Sequence, residues 1–286
     1  MDSIESGKGA FSFMQFSVLM SVYKSEHPEY LAKAIDSVLE QTYQASEIVI
    51  VEDGPLTPNL YRVLHEYSQR CPMLKRVPFT MNRGLGLALR DGVLACSYDW
   101  IARMDTDDIA KPNRFQRQVE YIKSHPEIAL VGTAIEEFSN NPETPESQTI
   151  LPAENEAIIA FSKKRNPFRH MTMMLKKSAI LESGNYRDFL WFEDYDLWVR
   201  MLQHGFRGAN IQEILVSVRA DADMFARRGG IKYLRQDLKF QHFMKEIGYI
   251  STIEYYCNIC IRTGIRLIPN QWRVWFYQQF LRQGGH

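Results

Sequence analysis

No stretch of this 286-residue chain stays apolar for the roughly 18 to 20 positions a membrane-spanning helix needs, so no membrane span is expected. An excess of charge of one sign is also missing. Lys and Arg total 34 and Asp and Glu total 34, a formal net charge of zero. That balance gives no bulk attraction for nucleic acid, and no nucleic-acid partner is expected. Residues 1–13 hold Ser, Gly, Asp, Glu and Lys but no apolar core of a secretory signal, and read as a loose tail. Cysteine is scarce: Cys71, Cys96, Cys257 and Cys260. The Cys257-Asn258-Ile259-Cys260 spacing lacks the second pair that a structural zinc site uses. It also lies far from a βαβ start, where a thioredoxin-type motif would sit, so it reads as packing. Reduced thiols without a signal suggest the cytoplasm. No GxGxxG turn follows the first strand, which removes the dinucleotide fingerprint. No internal repeat or low-complexity tract is present.

What is there is ordinary globular composition, 45% hydrophobic and 24% charged, with length for a full core. The near-continuous apolar run Phe16-Ser17-Val18-Leu19-Met20-Ser21-Val22-Tyr23 predicts a strand buried on both faces, as in a parallel sheet. Tyr30, Leu31, Ala34, Ile35, Val38 and Leu39 recur at helical spacing. Glu47-Ile48-Val49-Ile50-Val51 is a second buried strand. A helix over 57–70, a short strand over 74–79, a glycine-containing loop at Asn82-Arg83-Gly84-Leu85-Gly86 opening a helix, and a third strand over 98–104 follow. Residues 108–112 look like a helix approach, 114–125 form a helix and 127–138 a strand. This alternation over 16–138 predicts an α/β domain. Residues 139–152 are a polar loop. Residues 166–175 form a turn leading into a strand, 190–196 open a helix that Gly205 stops, and 211–218 form a last strand. From Tyr249 the character changes. Ile253, Tyr256, Cys257, Ile261, Ile265 and Ile268 recur at helical spacing, followed by Trp272, Trp275, Phe276 and Phe280. Arg262, Arg266, Arg273 and Arg282 face one acid, Glu254. A basic amphipathic stretch with tryptophans suits a membrane interface; the alternative is a helical pair packed on the domain.

The third strand ends abruptly in Asp105-Thr106-Asp107-Asp108. In an open α/β sheet, ligands bind just beyond the carboxyl ends of strands. Carboxylates crowded there repel one another unless a cation intervenes, and a hard divalent ion bridges such groups to phosphates. Asp53 ends the second strand, and Glu193 and Asp194 open a later helix. Asp53 suits a nucleobase or ribose, Asp105 and Asp107 a metal on a diphosphate, and Asp194 the proton of an attacking hydroxyl.

Taken in order, Ser21-Val22-Tyr23, Glu52-Asp53-Gly54, Asn82-Arg83-Gly84, Met104-Asp105-Thr106-Asp107-Asp108, His170 and Glu193-Asp194 resemble the family 2 glycosyltransferases of GT-A fold. More narrowly they resemble the bacterial enzymes of capsule, exopolysaccharide or O-antigen assembly. The resemblance covers about residues 16–245. It implies a Rossmann-like, mostly parallel sheet flanked by helices, with a C-terminal helical extension. The expected division is a tail over 1–13, a GT-A domain over 14–245 and an amphipathic extension over 246–286. The implied reaction is inverting transfer from a nucleotide-diphosphate sugar, most often UDP-linked, to a saccharide or lipid-linked saccharide. On this resemblance Ser21, Tyr23, Glu26, Asp53, Arg83 and Asp105 serve the nucleotide. Asp105 and Asp107 hold Mn2+ or Mg2+, Asp194 is the catalytic base, and Glu193 and His170 meet the acceptor. An enzyme of this kind is expected in the cytoplasm, peripheral at the inner membrane face. Glu52 stands where many relatives have Asp, with a longer reach toward the base. Arg227 and Arg228 read as a solvated face in preference to a diphosphate clamp. Two other readings compete. A sugar-1-phosphate nucleotidyltransferase wants a glycine-rich loop after the first strand, and residues 21–28 contain no glycine. A non-catalytic nucleotide-sugar-binding scaffold is disfavoured by intact Asp105, Asp107 and Asp194.

Overall fold

The computed structural model describes residues 13–220 and 230–267. The elements run β1 (Ser17–Val22), α1 (Pro28–Leu39), β2 (Glu47–Glu52), α2 (Pro58–Arg70), β3 (Leu74–Pro78), α3 (Leu85–Ala95) and β4 (Trp100–Arg103). Then come β5 (Ile109–Ala110), α4 (Arg114–Ser124), β6 (Ile128–Phe138), β7 (Ser147–Thr149), α5 (Asn155–Ser162), β8 (Met174–Lys176) and α6 (Lys177–Glu182). The described chain closes with α7 (Glu193–Gln203), β9 (Arg207–Arg219), α8 (Gly230–Glu246) and α9 (Thr252–Leu267). Local chemistry sets the boundaries. Proline in the first turn starts α1 and α2, where no backbone donor is lost. The Thr57 hydroxyl accepts from the Leu60 N–H and caps α2.

One mixed sheet has the order β3-β2-β1-β4-β8-β6-β9-β5, with β7 paired to β6. The first four strands are mutually parallel, and β8 joins β4 antiparallel. Period-two alternation feeds two cores. Val18, Met20, Val22, Ile48 and Ile50 pack under α1, α2 and α4. Leu19, Val49 and Val51 face the other way, against α3, α7 and Trp198. Strand β1 has β2 on one side and β4 on the other, so successive connections leave it in opposite directions. A crevice opens at such a switch point, beyond the carboxyl ends of β1 and β4.

The α/β expectation over 16–138 holds, with corrections. Residues 108–112 hold strand β5, not a helix approach. Its pairing with β9 (Ile109 with Ser217, Ala110 with Val216) decides this, and a local pattern carries no trace of a distant partner. The loop over 139–152 contains β7, paired to β6. Helices α5, α6 and α8 were not expected. Cys257 and Cys260 are exposed instead of packed, because α9 turns Asn258 and Arg262 toward the body. Among the described residues no helix is long and apolar enough to cross a membrane. Arg227, Arg228, Trp272, Trp275, Phe276 and the arginines at 273 and 282 lie outside the described residues.

Candidate active site

Four chain segments converge at the switch point. Strand β1 ends in Ser21, half-buried, and the exposed Tyr23. Glu26 lies on the following turn and accepts from the Thr106 hydroxyl, which ties that turn to the acidic loop after β4. Strand β2 ends in Glu52-Asp53-Gly54. Asp53 is 4% exposed, and both its oxygens are engaged by the next loop. Oδ1 accepts from the Arg83 N–H at 2.7 Å, and Oδ2 from the Gly84 N–H at 3.0 Å and Asn82 Nδ2 at 2.9 Å. Asp53 therefore fixes the entry to α3. Gly54 has φ +87°, and a Cβ there would lie 2.5 Å from the Asn82 nitrogen, so only glycine lets these two loops touch. Arg83 is held by Asp91 at 2.8 Å and lies over the Phe79 ring. Glu52 does not reach outward: it is buried and accepts from Arg76 Nε.

The acidic loop is the electrostatic centre. One carboxylate oxygen from each of Asp105, Asp107 and Asp108 lies within 4.8 Å of the others. Burial, then the charges of Asp105 and Glu26, push Asp107 up to about 7. Burial, then Asp107 and Asp105, push Asp108 well above the usual carboxylate range. Asp108 also accepts from the Arg219 N–H at 2.8 Å and so anchors β9. Three hard oxygen donors this close together are a donor set suited to Mg2+ or Mn2+.

Arg103 was not among the expected site residues. It is the last residue of β4, two positions before Asp105. It is 2% exposed and ion-paired to Asp105. Burial works against its charge, but Asp105 more than offsets that and keeps it protonated. Its field reaches Asp108, Tyr186, His170 and Glu193. Arg114 Nη2 donates to the Arg103 carbonyl at 2.7 Å and fixes the backbone beneath.

Helix α7 supplies the other pole. Glu193 and Asp194 occupy its first turn, where the helix N-terminus favours negative charge. Asp194 Oδ2 accepts from Asn166 Nδ2 at 2.7 Å and Oδ1 from the Tyr195 N–H at 2.6 Å, so its carboxylate is oriented. Asn166 is a second residue that the sequence did not single out; its place before Pro167 in a turn was the only signal. Burial, then Asp194, push Glu193 up to about 8. Glu193 therefore keeps its proton near neutral pH. The first turn of α3 meets this pole directly, since a Cβ on Gly86 would lie 2.3 Å from the Arg187 carbonyl and 3.2 Å from Glu193 Cβ. Asp196 turns from the site: it is fully buried between Arg187 and Arg200. His170 Nε2 lies 2.9 Å from the Tyr186 hydroxyl, with its ring edge-on to Trp198. Burial and then Arg103 hold its pKa well below 6.5, so it is neutral.

The family model "Glycosyl transferase family 2" matches residues 17–184. The chain is 38% identical over 267 residues to the amylovoran biosynthesis glycosyltransferase AmsE of Erwinia amylovora, covering 92% of this chain and 98% of the relative. It is 34% identical over 269 residues to the UDP-Gal:alpha-D-GlcNAc-diphosphoundecaprenol beta-1,3-galactosyltransferase of Escherichia coli, covering 94% and 97%. Among solved structures it resembles the mannosyltransferase PcManGT of Pyrobaculum calidifontis, in complex with GDP-Man and Mn2+. The TM-score is 0.62 at 15% identity, over 91% of this chain and 71% of that one, a likeness of fold. With this fold, these relatives and a match over more than half its length, the chain belongs to glycosyl transferase family 2.

Proposed function

We propose that the chain transfers a sugar from a UDP-sugar to a saccharide or lipid-linked saccharide acceptor in surface polysaccharide assembly, with inversion at the anomeric carbon. The printed names of the Erwinia and E. coli relatives support this substrate class. The observation that carries the reading is a pair of distinct acidic poles on one rim. One is a three-carboxylate cluster; the other is Asp194, oriented by Asn166, and the charges of Arg103 and Asp105 span the gap to its neighbour Glu193.

On this reading Ser21, Tyr23, Glu26, Asp53 and Arg83 border the nucleotide, Asp53 by holding the Arg83 loop as well as through its remaining lone pairs. Asp105 and Asp107 would hold Mn2+ or Mg2+, which supplies Lewis-acid charge to the departing diphosphate. Asp194 takes the acceptor hydroxyl's proton as that oxygen bonds to the anomeric carbon and the bond from that carbon to the diphosphate oxygen breaks. Glu193, carrying its proton, donates a hydrogen bond to the acceptor, and neutral His170 lies on the same side. A single displacement inverts the centre. The catalytic domain is assigned to residues 14–245 and an extension to 246–286, working in the cytoplasm at the inner membrane face.

The test is sugar transfer from a panel of UDP-sugars to lipid-diphosphate saccharides, with Asp194→Asn as the decisive variant. Turnover should fall roughly 100- to 10,000-fold, with donor binding by calorimetry little changed. Near-normal turnover in Asp194→Asn, with loss in Glu193→Gln, would move the base to Glu193. Absence of transfer from every UDP-sugar would sink the donor class.

A further inference from the structure

Three consecutive carbonyls at the end of α5 each accept a hydrogen bond from a side chain far away in sequence. The Ser162 carbonyl accepts from the Tyr195 hydroxyl of α7. The Lys163 carbonyl accepts from Asn258 Nδ2 of α9 at 2.8 Å, and the Lys164 carbonyl from Arg262 Nη2 of α9 at 2.6 Å. Carbonyls at a helix end have no partner within the helix, and a guanidinium makes the stronger, charge-assisted bond to them. Helices α7 and α9 therefore cap α5 jointly. Two residues beyond Lys164 stands Asn166, whose Nδ2 donates to Asp194 Oδ2 at 2.7 Å.

Helix α9 docks by these bonds. Among its described side chains Asn258 alone is buried, while Ile253, Tyr256 and Ile261 are exposed. Apolar contact is non-directional, whereas a hydrogen bond sets both distance and angle. The two donors are themselves held from behind by α8. Asn258 Nδ2 also donates to Gln241 at 2.9 Å, and Arg262 Nη1 pairs with the fully buried Asp237. Glu254 of α9 pairs with Lys163 at 3.1 Å. On its other side Asn166 precedes Pro167, which restricts its backbone to extended conformations. The Pro167 carbonyl accepts from Asn210 Nδ2 of β9 at 3.1 Å. The circuit closes through Tyr195: its N–H donates to Asp194 Oδ1, and its hydroxyl returns to Ser162. Both oxygens of Asp194 thus trace back to the segment 162–166.

We propose that α9 braces the base. Arg262 and Asn258 are positioning residues that hold the segment 162–166 and, through Asn166, aim the Asp194 carboxylate. This rests on the base role proposed above for Asp194. A helix away from the rim thereby sets the geometry of a carboxylate on it.

The test compares the full-length parent, Arg262→Met, Asn166→Ala and the double variant, with the donor and acceptor that react in the UDP-sugar panel. Each single variant should lower kcat roughly 10- to 100-fold with donor KM unchanged. The double variant should be no slower than the slower single, because both act on one carboxylate along one route. Arg262→Met removes a buried counter-charge, so Asn258→Ala, which leaves the ion pair in place, is measured alongside and should show the same split between kcat and KM. A second readout needs no substrate. The Lys164 and Arg165 N–H groups donate to the Phe161 carbonyl at 2.9 Å, and peptides over 162–168 should exchange deuterium about tenfold faster in Arg262→Met. Losses that multiply in the double variant would make α9 an independent structural element and overturn the proposal. So would parent-like kcat in Arg262→Met and Asn258→Ala, a change in donor KM alone, or unchanged exchange over 162–168. The base assignment fails on a different measurement: near-normal turnover in Asp194→Asn would move the base, while coupled losses in Arg262→Met and Asn166→Ala would keep the brace.

Discussion

Glu193→Gln should stabilise the protein in mildly alkaline solution and leave it nearly unchanged in acid. Glu193 has an ordinary value of 4.5 in the unfolded chain and is held at about 8 in the fold, first by burial and second by Asp194. Below the unfolded value both states carry the proton and the group contributes nothing to pH dependence. Between the two values the unfolded state releases its proton while the folded state retains it, so stability falls by about 1.4 kcal/mol per pH unit. Above the folded value the loss levels off. The window is 8 − 4.5 = 3.5 units, an upper limit of about 5 kcal/mol. Glu193 keeps part of its surface in water, which screens the repulsion, so about 2 to 3 kcal/mol is the expected magnitude. Glutamine has nearly the same shape and cannot ionise. Urea unfolding of parent and variant, free of metal and nucleotide, should give curves that coincide near about pH 5 and separate by that amount near about pH 8.5. Because the Asp194 charge is the second cause, Asp194→Asn should shrink the separation. A difference independent of pH, or one that favours the parent in alkali, would refute the assignment of Glu193 as the protonated member of the pair.

Mn2+ should raise the melting temperature of the parent and not of Asp107→Ala, a linkage readout that needs no turnover. Equal shifts, or full transfer activity in excess EDTA, would remove the metal from Asp105 and Asp107. Asp196→Ala should cost about 3 to 5 kcal/mol in urea unfolding, because it strands Arg187 and Arg200 beside a site that is fully buried. A cost below about 1 kcal/mol would mean that the two arginines find water or other carbonyls.

The parallel half of the fold was legible because each strand carries its own evidence. Val18, Met20 and Val22 face one core and Leu19 the other, so a strand buried on both faces is written as an unbroken apolar run. The antiparallel half was not. β5 is Ile109-Ala110 alone and exists by pairing with β9 more than one hundred residues later. β7 is Ser147-Gln148-Thr149, polar, and is a strand because β6 lies beside it. Strands this short have too few positions for a period, and their identity lies in the partner.

The site divides in the same way. Asp105, Asp107 and Asp194 were legible because carboxylates clustered at a strand end or helix start conflict with their neighbours' solvation and so stand out. Arg103 was illegible for the opposite reason: inside Trp100-Ile101-Ala102-Arg103-Met104 it breaks an apolar run, and a single break in a short strand reads as noise. In the fold that break becomes the counter-charge of the whole rim. Three carboxylates within 4.8 Å, with Glu193 within electrostatic range, would destabilise an apo protein whose acids were all ionised. The chain limits this in two ways: it leaves Asp107, Asp108 and Glu193 with raised proton affinity, and it buries one permanent cation against Asp105. Asp194, whose charge is the second cause of the raised proton affinity of Glu193, is oriented by Asn166 at the N-terminus of α7. The base role proposed for Asp194 requires an aimed carboxylate, and Asn166, a residue that carries no motif of its own, supplies that aim.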